Sequence, residues 1–268
     1  MGQFKKVKNI LKNNLNKDLL ALLKAFHSFF NGLRYKPYYE LIGIFYRFTL
    51  NPVNYNSKFK IFYPFNIPNS MIGELYLDEY EKSERILVNK YISPNDSVLE
   101  LGGSLGVVAC SINSILSNQK NHVVLEPNKS IIRYLEKNKL KNNFHFKIED
   151  KILSDESKIS FYCDNNFLIS TVKKKPNTIV QGIKINDLEK QNNLKFNFLV
   201  MDVEGSEVEV LKHLVNNKNN INKIIMETHF THGFINEADR MIMNSNLSSL
   251  GFILIEKIEN VEYWEKSI

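Results

Sequence analysis

An α/β fold, with a seven-stranded, mostly parallel sheet, helices on both faces and a helical N-terminal region before it, is what this sequence predicts. Three observations predict it. From Ser97 onward, short apolar runs alternate with amphipathic segments, the pattern of βαβ units feeding a parallel sheet. Several of the runs end in glycine or a carboxylate and open at once into a helix signal, as strands do at the ligand-facing edge of such a sheet. Residues 1–70 differ in composition, Lys/Asn-rich at first and then aromatic from Phe26 through Phe48, so they form a region apart from residues 71–268.

Within the first region, Leu11, Leu15, Leu19, Leu22, Leu23 and Phe26 recur at helical spacing with Lys12, Lys17 and Lys24 between them. A basic amphipathic helix of this kind suits peripheral contact with a membrane surface, and equally packing on the domain or homo-oligomer contact. The expected strands are Ser97–Leu101, Val123–Glu126, Phe144–Ile148, Phe196–Met201, Lys223–Glu227 and Phe252–Glu256, and the expected helices Val107–Ser117, Lys129–Asn138, Ser206–Val215 and Glu237–Ser249. Between the third and fourth of these strands lies an insertion with two further strand signals, Ile159–Cys163 and Thr178–Ile183, and a short helix near Asp187–Gln191. Its place beside the sheet's carboxyl edge suits a wall of a substrate pocket.

Composition narrows the function classes. The 268 residues are 43% hydrophobic and 24% charged, enough for one substantial core. A formal charge of +6, spread over many lysines without a basic patch, gives no nucleic-acid footprint. The two cysteines, Cys110 and Cys163, stand in unrelated places and indicate neither a disulfide framework nor a zinc site. Leu19–Phe30, interrupted by Lys24 and His27, is shorter than a membrane span, and no signal sequence with a small-residue exit is visible, so a reducing cytoplasm is expected.

The segment Val98–Gly106 carries the first chemistry. An apolar strand runs into a turn with Gly102, Gly103, Ser104 and Gly106, then into an apolar helix. Glycine permits positive φ and close approach of a ligand, and the helix N-terminus offers unpaired N–H groups. The spacing is E-x-G-x-x-x-G rather than the G-x-G-x-x-G that holds a pyrophosphate, which argues against a nicotinamide cofactor. Glu100, on the strand before the turn, suits a cofactor with an ammonium and a sulfonium group, S-adenosylmethionine. Glu126 ends the next strand about twenty residues on, where a carboxylate accepts both ribose hydroxyls. Glu149 and Asp150, near the third strand's end, fit contact with the adenine amino group or an ordinary solvated turn.

Two later strands end in polar groups at the same edge. Phe198–Met201 leads into Asp202, Val203, Glu204 and Gly205, and Lys223–Glu227 into Thr228 and His229. Methyl transfer to an oxygen requires that the acceptor be held in line and relieved of its proton. Asp202, Glu204, Glu227 and His229 are the catalytic candidates, with His229, Glu227 or Asp202 as the base and His232 a lesser one. Glu207, in the first turn of the following helix, reads first as a capping carboxylate. Asp202 and Glu204 would hold magnesium if another oxygen ligand joined them. The sequence completes no such set, and no metal is assigned.

These segments together resemble the FkbM-type methyltransferases. The resemblance is carried by Val98–Gly106, Leu125-Glu126-Pro127-Asn128, Ile185-Asn186-Asp187-Leu188, Val200–Glu207 and Met226-Glu227-Thr228-His229, over about Glu74 to Phe252. It implies a Rossmann-like class I methyltransferase fold and methyl transfer from S-adenosylmethionine, usually to a hydroxyl of a sugar, glycan precursor or secondary metabolite. The chain departs from the family where Glu100 replaces the usual Asp, and where Gly103-Ser104 replaces the usual Ala-Asn. Two rival classes are an α/β-hydrolase-like esterase and a non-catalytic cofactor- or sugar-binding module. Gly102–Gly106 matches G-x-S-x-G with Ser104 as nucleophile, but no oxyanion segment precedes it and an esterase has no use for Glu126. The carboxylates of the acceptor side are all present, which a module without turnover would not need.

Overall fold

The computed structural model describes residues 37–49, 52–55, 58–163, 171, 174–229 and 235–267. The leucine stripe of Leu11–Phe26 and His232 lie outside the described residues. The chain divides into two compact units, Met1–Tyr80 and Glu81–Ile268.

The first unit holds helix α1 (Pro37–Thr49), the antiparallel pair β1 (Val53–Tyr55) and β2 (Phe59–Ile61), and helix α2 (Asn69–Leu77). Its two helices touch backbone to backbone: a Cβ on Gly43 would stand 1.8 Å from the Asn69 carbonyl oxygen, and one on Gly73 would stand 2.2 Å from that of Tyr39. The aromatic composition becomes a core here, with Tyr46 stacked on Tyr76 at 3.9 Å between ring centroids. Arg47 binds Asn69 and the carbonyls of Phe65 and Ile67.

The second unit runs α3 (Lys82–Tyr91), β3 (Val98–Leu101), α4 (Val107–Ile115), β4 (His122–Leu125), α5 (Lys129–Lys141), β5 (Lys147–Glu149), β6 (Lys151–Leu153), β7 (Lys158–Phe161), β8 (Thr178–Ile183), α6 (Ile185–Asn192), β9 (Phe198–Met201), α7 (Glu207–Asn216), β10 (Lys223–Glu227), α8 (Glu237–Ser249), β11 (Phe252–Ile258) and β12 (Val261–Lys266). Seven strands form one sheet in the order β11-β12-β10-β9-β3-β4-β5. Only β12 runs against the rest, paired antiparallel with both β10 and β11. This is the expected Rossmann-like, mostly parallel sheet, with its strand order reversing between β3 and β9.

Strand periodicity divides the core. Leu99, Leu101, Leu199, Met201, Ile224 and Met226 face one side, under Leu188 of α6, Val210, Leu211 and Leu214 of α7, and Met243 and Leu247 of α8. Val98, Phe198, Val200 and Ile225 face the other, under Leu87 and Val88 of α3 and Val108 and Ile112 of α4. Ala109 and Leu135 close that second face over Val124 and Phe146. Every residue of β3, β4 and β9 is buried, as in a sheet covered on both faces, and β9 accordingly reads as an unbroken apolar run.

β12 is absent from the expected strands because Val-Glu-Tyr-Trp-Glu-Lys, charged at three of its six places, reads as a surface segment. Its glutamate is nevertheless inside: Glu262 accepts two hydrogen bonds from Arg240 at 2.9 Å, one from Lys257 at 2.9 Å and one from Trp264 at 3.1 Å. The insertion forms its own three-stranded sheet, β6-β8-β7, adding β6 to the two strands expected.

Candidate active site

Backbone geometry at the sheet's carboxyl edge follows from the turn after β3. Gly102 and Gly106 adopt φ of 88° and 82°, in the left-handed region glycine favours, and Ser104 joins them at 45°. A Cβ on Gly102 would stand 1.9 Å from the Asp202 carbonyl oxygen, so this turn lies directly against the end of β9. One on Gly103 would stand 2.5 Å from Val124 and 2.8 Å from Leu135. Gly106 caps α4 without a side-chain hydrogen bond, leaving that helix N-terminus to its backbone N–H groups.

Glu126, at the end of β4, is buried, and its carboxylate accepts the Ser104 N–H at 2.9 Å and the Asn128 N–H at 2.8 Å. It thereby fixes the glycine turn to the next strand. Burial raises its pKa, and the N–H donors of Asn128, Ser104 and Gly103 only partly oppose that shift. Glu100 points into the sheet layer, with Oε2 2.9 Å from His122 Nε2 and Oε1 shielded without a hydrogen-bond partner. Burial holds the Glu100 carboxyl well above its usual range and pushes His122 down to about 3. Glu149 pairs with Lys147 at 2.8 Å and Lys151 at 2.9 Å and accepts from Gln191, while Asp150 pairs with Lys129 at 3.2 Å.

The four catalytic candidates converge. His229, 2% exposed, places Nε2 3.3 Å from Asp202 Oδ1, 3.5 Å from Glu204 Oε2 and 3.8 Å from Glu227 Oε1. Its Nδ1 lies 2.7 Å from Glu207 Oε1, which also accepts the Gly205 N–H at 3.3 Å. Glu207 therefore ties down the turn before α7 and orients the imidazole. Burial works against a charge on His229, but Glu207 and the three neighbouring carboxylates outweigh it and raise its pKa to about 10. Burial and the Asp202 charge raise Glu227 to about 7.

Three contributors were not identified from the sequence. Glu84 of α3 faces Glu227 and is raised to about 8 by burial and by that carboxylate. Asn260, in the turn between β11 and β12, donates to Glu227, while its carbonyl accepts both the N–H and the hydroxyl of Thr228 at 2.9 Å. Thr171, from the insertion, donates its hydroxyl to the Glu204 carbonyl at 2.6 Å. Glu84 alone left a signal, since it shares the helical face of Leu87 and Val88, where a carboxylate is out of place.

A family model described as the methyltransferase FkbM domain matches residues 102–254. The chain belongs to the FkbM methyltransferase family. No curated protein matches this FkbM methyltransferase. Solved structures similar to it include the ribosomal protein L11 methylase of Lactobacillus delbrueckii subsp. bulgaricus, at 10% identity and a TM-score of 0.45 over 70% of this chain and 80% of that one. Also similar are fibrillarin of Aeropyrum pernix, crystallised with natively bound S-adenosyl-L-methionine (12%, 0.41, over 68% and 72%), and precorrin-6y C5,15-methyltransferase of Geobacter metallireducens (12%, 0.40, over 69% and 87%).

S-adenosylmethionine is the cofactor of this family member. The residues present fit it: a turn whose glycines leave the backbone open, an uncapped helix N-terminus behind it, and a buried glutamate at the end of the neighbouring strand.

Proposed function

We propose that this FkbM methyltransferase transfers the methyl group to a hydroxyl oxygen, with a sugar or glycan precursor as the acceptor class. One observation carries the reading. The cluster of Asp202, Glu204, Glu227 and His229 begins where Gly102 abuts the Asp202 carbonyl, so the groups that would handle an acceptor adjoin the turn that would hold the donor.

S-adenosylmethionine supplies an electrophilic methyl group on a sulfonium. The chain's own residues do the rest. The Gly102–Gly106 backbone and the α4 N-terminus take the methionine part, and Glu126 the ribose, since each of its oxygens keeps a lone pair beyond the N–H it already accepts. The cluster orients the acceptor hydroxyl, whose proton passes to a carboxylate. An amine acceptor gains less here, because a neutral nitrogen nucleophile needs no proton removed before attack. Sugars as a class rest on the family resemblance.

The test is a turnover assay with S-adenosylmethionine and a panel of free sugars, nucleotide sugars and matched amino sugars, with products located by NMR. Acceptor-dependent S-adenosylhomocysteine together with a new methyl ether supports the reading. A methyl group found on nitrogen or carbon would overturn it.

A further inference from the structure

More carboxyl groups are gathered at the ends of β9 and β10 than one imidazole can pair with. Asp202, Glu204, Glu207 and Glu227 each have an oxygen within 3.8 Å of His229, and Glu84 adds a fifth carboxyl beside Glu227. Buried carboxylates are costly unless protons or a cation balance them. One ligand atom each from Asp202, Glu227 and His229 lies within 4.8 Å of the others. Donors about 2.1–2.2 Å from a shared ion, at angles between 90° and 120°, stand roughly 3.0–3.8 Å apart. The 3.3 Å and 3.8 Å separations from Nε2 to Asp202 and Glu227 match that spacing.

Two further features point to a cation. Asp202 Oδ1 is shielded from solvent and has no hydrogen-bond partner, although it faces the imidazole. Glu207, fully buried, holds His229 Nδ1 at 2.7 Å, so Nε2 is the nitrogen presented to the carboxylates. A carboxylate behind the imidazole is how metal-binding histidines are fixed in tautomer and direction.

We propose that Asp202, Glu227 and His229 form a divalent-cation site of the Mn²⁺ type that holds the acceptor's oxygen beside the cofactor turn. Two hard oxygens with one imidazole suit a first-row divalent ion better than calcium, which takes six to eight oxygens, or magnesium, which keeps mostly water and carboxylate. A bound cation takes the place of protons in balancing these carboxylates and lowers the pKa of an oxygen it ligates. The cation site stands by itself; its role in holding the acceptor rests on the methyl-transfer reading above.

The experiment titrates MnCl₂ into the chelator-treated full chain and follows free Mn²⁺ by electron paramagnetic resonance, with S-adenosylhomocysteine binding as the control for folding. The expected result is stoichiometric binding, weakened at least about tenfold in Asp202→Asn and Glu227→Gln. Echo modulation from a directly bound imidazole nitrogen should appear and be lost in His229→Gln. Absence of stoichiometric Mn²⁺ in protein that binds S-adenosylhomocysteine overturns the site, as does binding unchanged in the variants. Should a variant fail to fold, the nitrogen coupling of the unsubstituted chain still decides. If Mn²⁺ binds as expected but no hydroxyl is methylated, the cation site stands and the oxygen-acceptor reading falls.

Discussion

Glu126 shows how one side chain serves the turn and the cofactor together. Its carboxylate accepts two N–H groups of the turns around it, so its loss affects the cradle as well as any ribose contact. Hydrogen bonds to a charged group contribute about 1.5–3 kcal/mol each. Glu126→Ala is therefore expected to weaken S-adenosylhomocysteine binding by tenfold or more in calorimetric titration, and unchanged affinity would remove the ribose assignment. Gly102 permits even less change. Its φ of 88° and the 1.9 Å approach to the Asp202 carbonyl mean that Gly102→Ala must move β3 and β9 apart or strain the turn. A lower thermal midpoint together with loss of S-adenosylhomocysteine binding is expected for it. The glycines and the strand-end carboxylates were legible as residues, because a turn after an apolar strand constrains its chemistry locally. The contacts of Glu84 and Asn260 with Glu227 were not, because they reach it from segments far away in the chain.

At the scale of elements, β12 shows how polarity patterns mislead. A sequence charged at three of six places reads as a surface segment, yet Val261, Glu262, Tyr263 and Trp264 are all buried, because the chain returns to fill the gap between β10 and β11. Burial alone would raise the Glu262 pKa; Arg240 and Lys257 reverse that and hold it below the usual carboxylate range. A carboxylate depressed in the folded state adds stability above its unfolded value, and that stability is lost as pH falls through the folded value. Glu262→Gln is expected to lower the urea midpoint at pH 7 and to flatten its decline below about pH 4.5 relative to the unsubstituted chain. An equally steep acid decline in the variant would show that the ion cluster contributes nothing to it. Capping is more local. Asn236 and Asp239 exchange hydrogen bonds of 3.0 Å at the start of α8, so Asn236→Ala should cost about 1 kcal/mol by denaturant unfolding.

For the molecule as a whole, the turn, Glu126 and the carboxylate cluster all lie within Glu81–Ile268. A chain of residues 81–268 is accordingly expected to bind S-adenosylhomocysteine with the affinity of the full chain, and loss of binding in the folded fragment would place part of the site in residues 1–80. No helix among the described residues is long and apolar enough to cross a membrane. By itself the sequence determined the parallel core strands, the glycine turn and the carboxylates at the strand ends, because strand burial and turn conformation are imposed by neighbours in the chain. Tertiary structure decided the rest: the antiparallel seventh strand, Glu207 as the partner of His229, and the gathering of four acids around one imidazole with Glu84 beside Glu227. Each of those depends on contacts between segments that only the folded sheet brings to a common edge, and spacing along the chain carries no record of them.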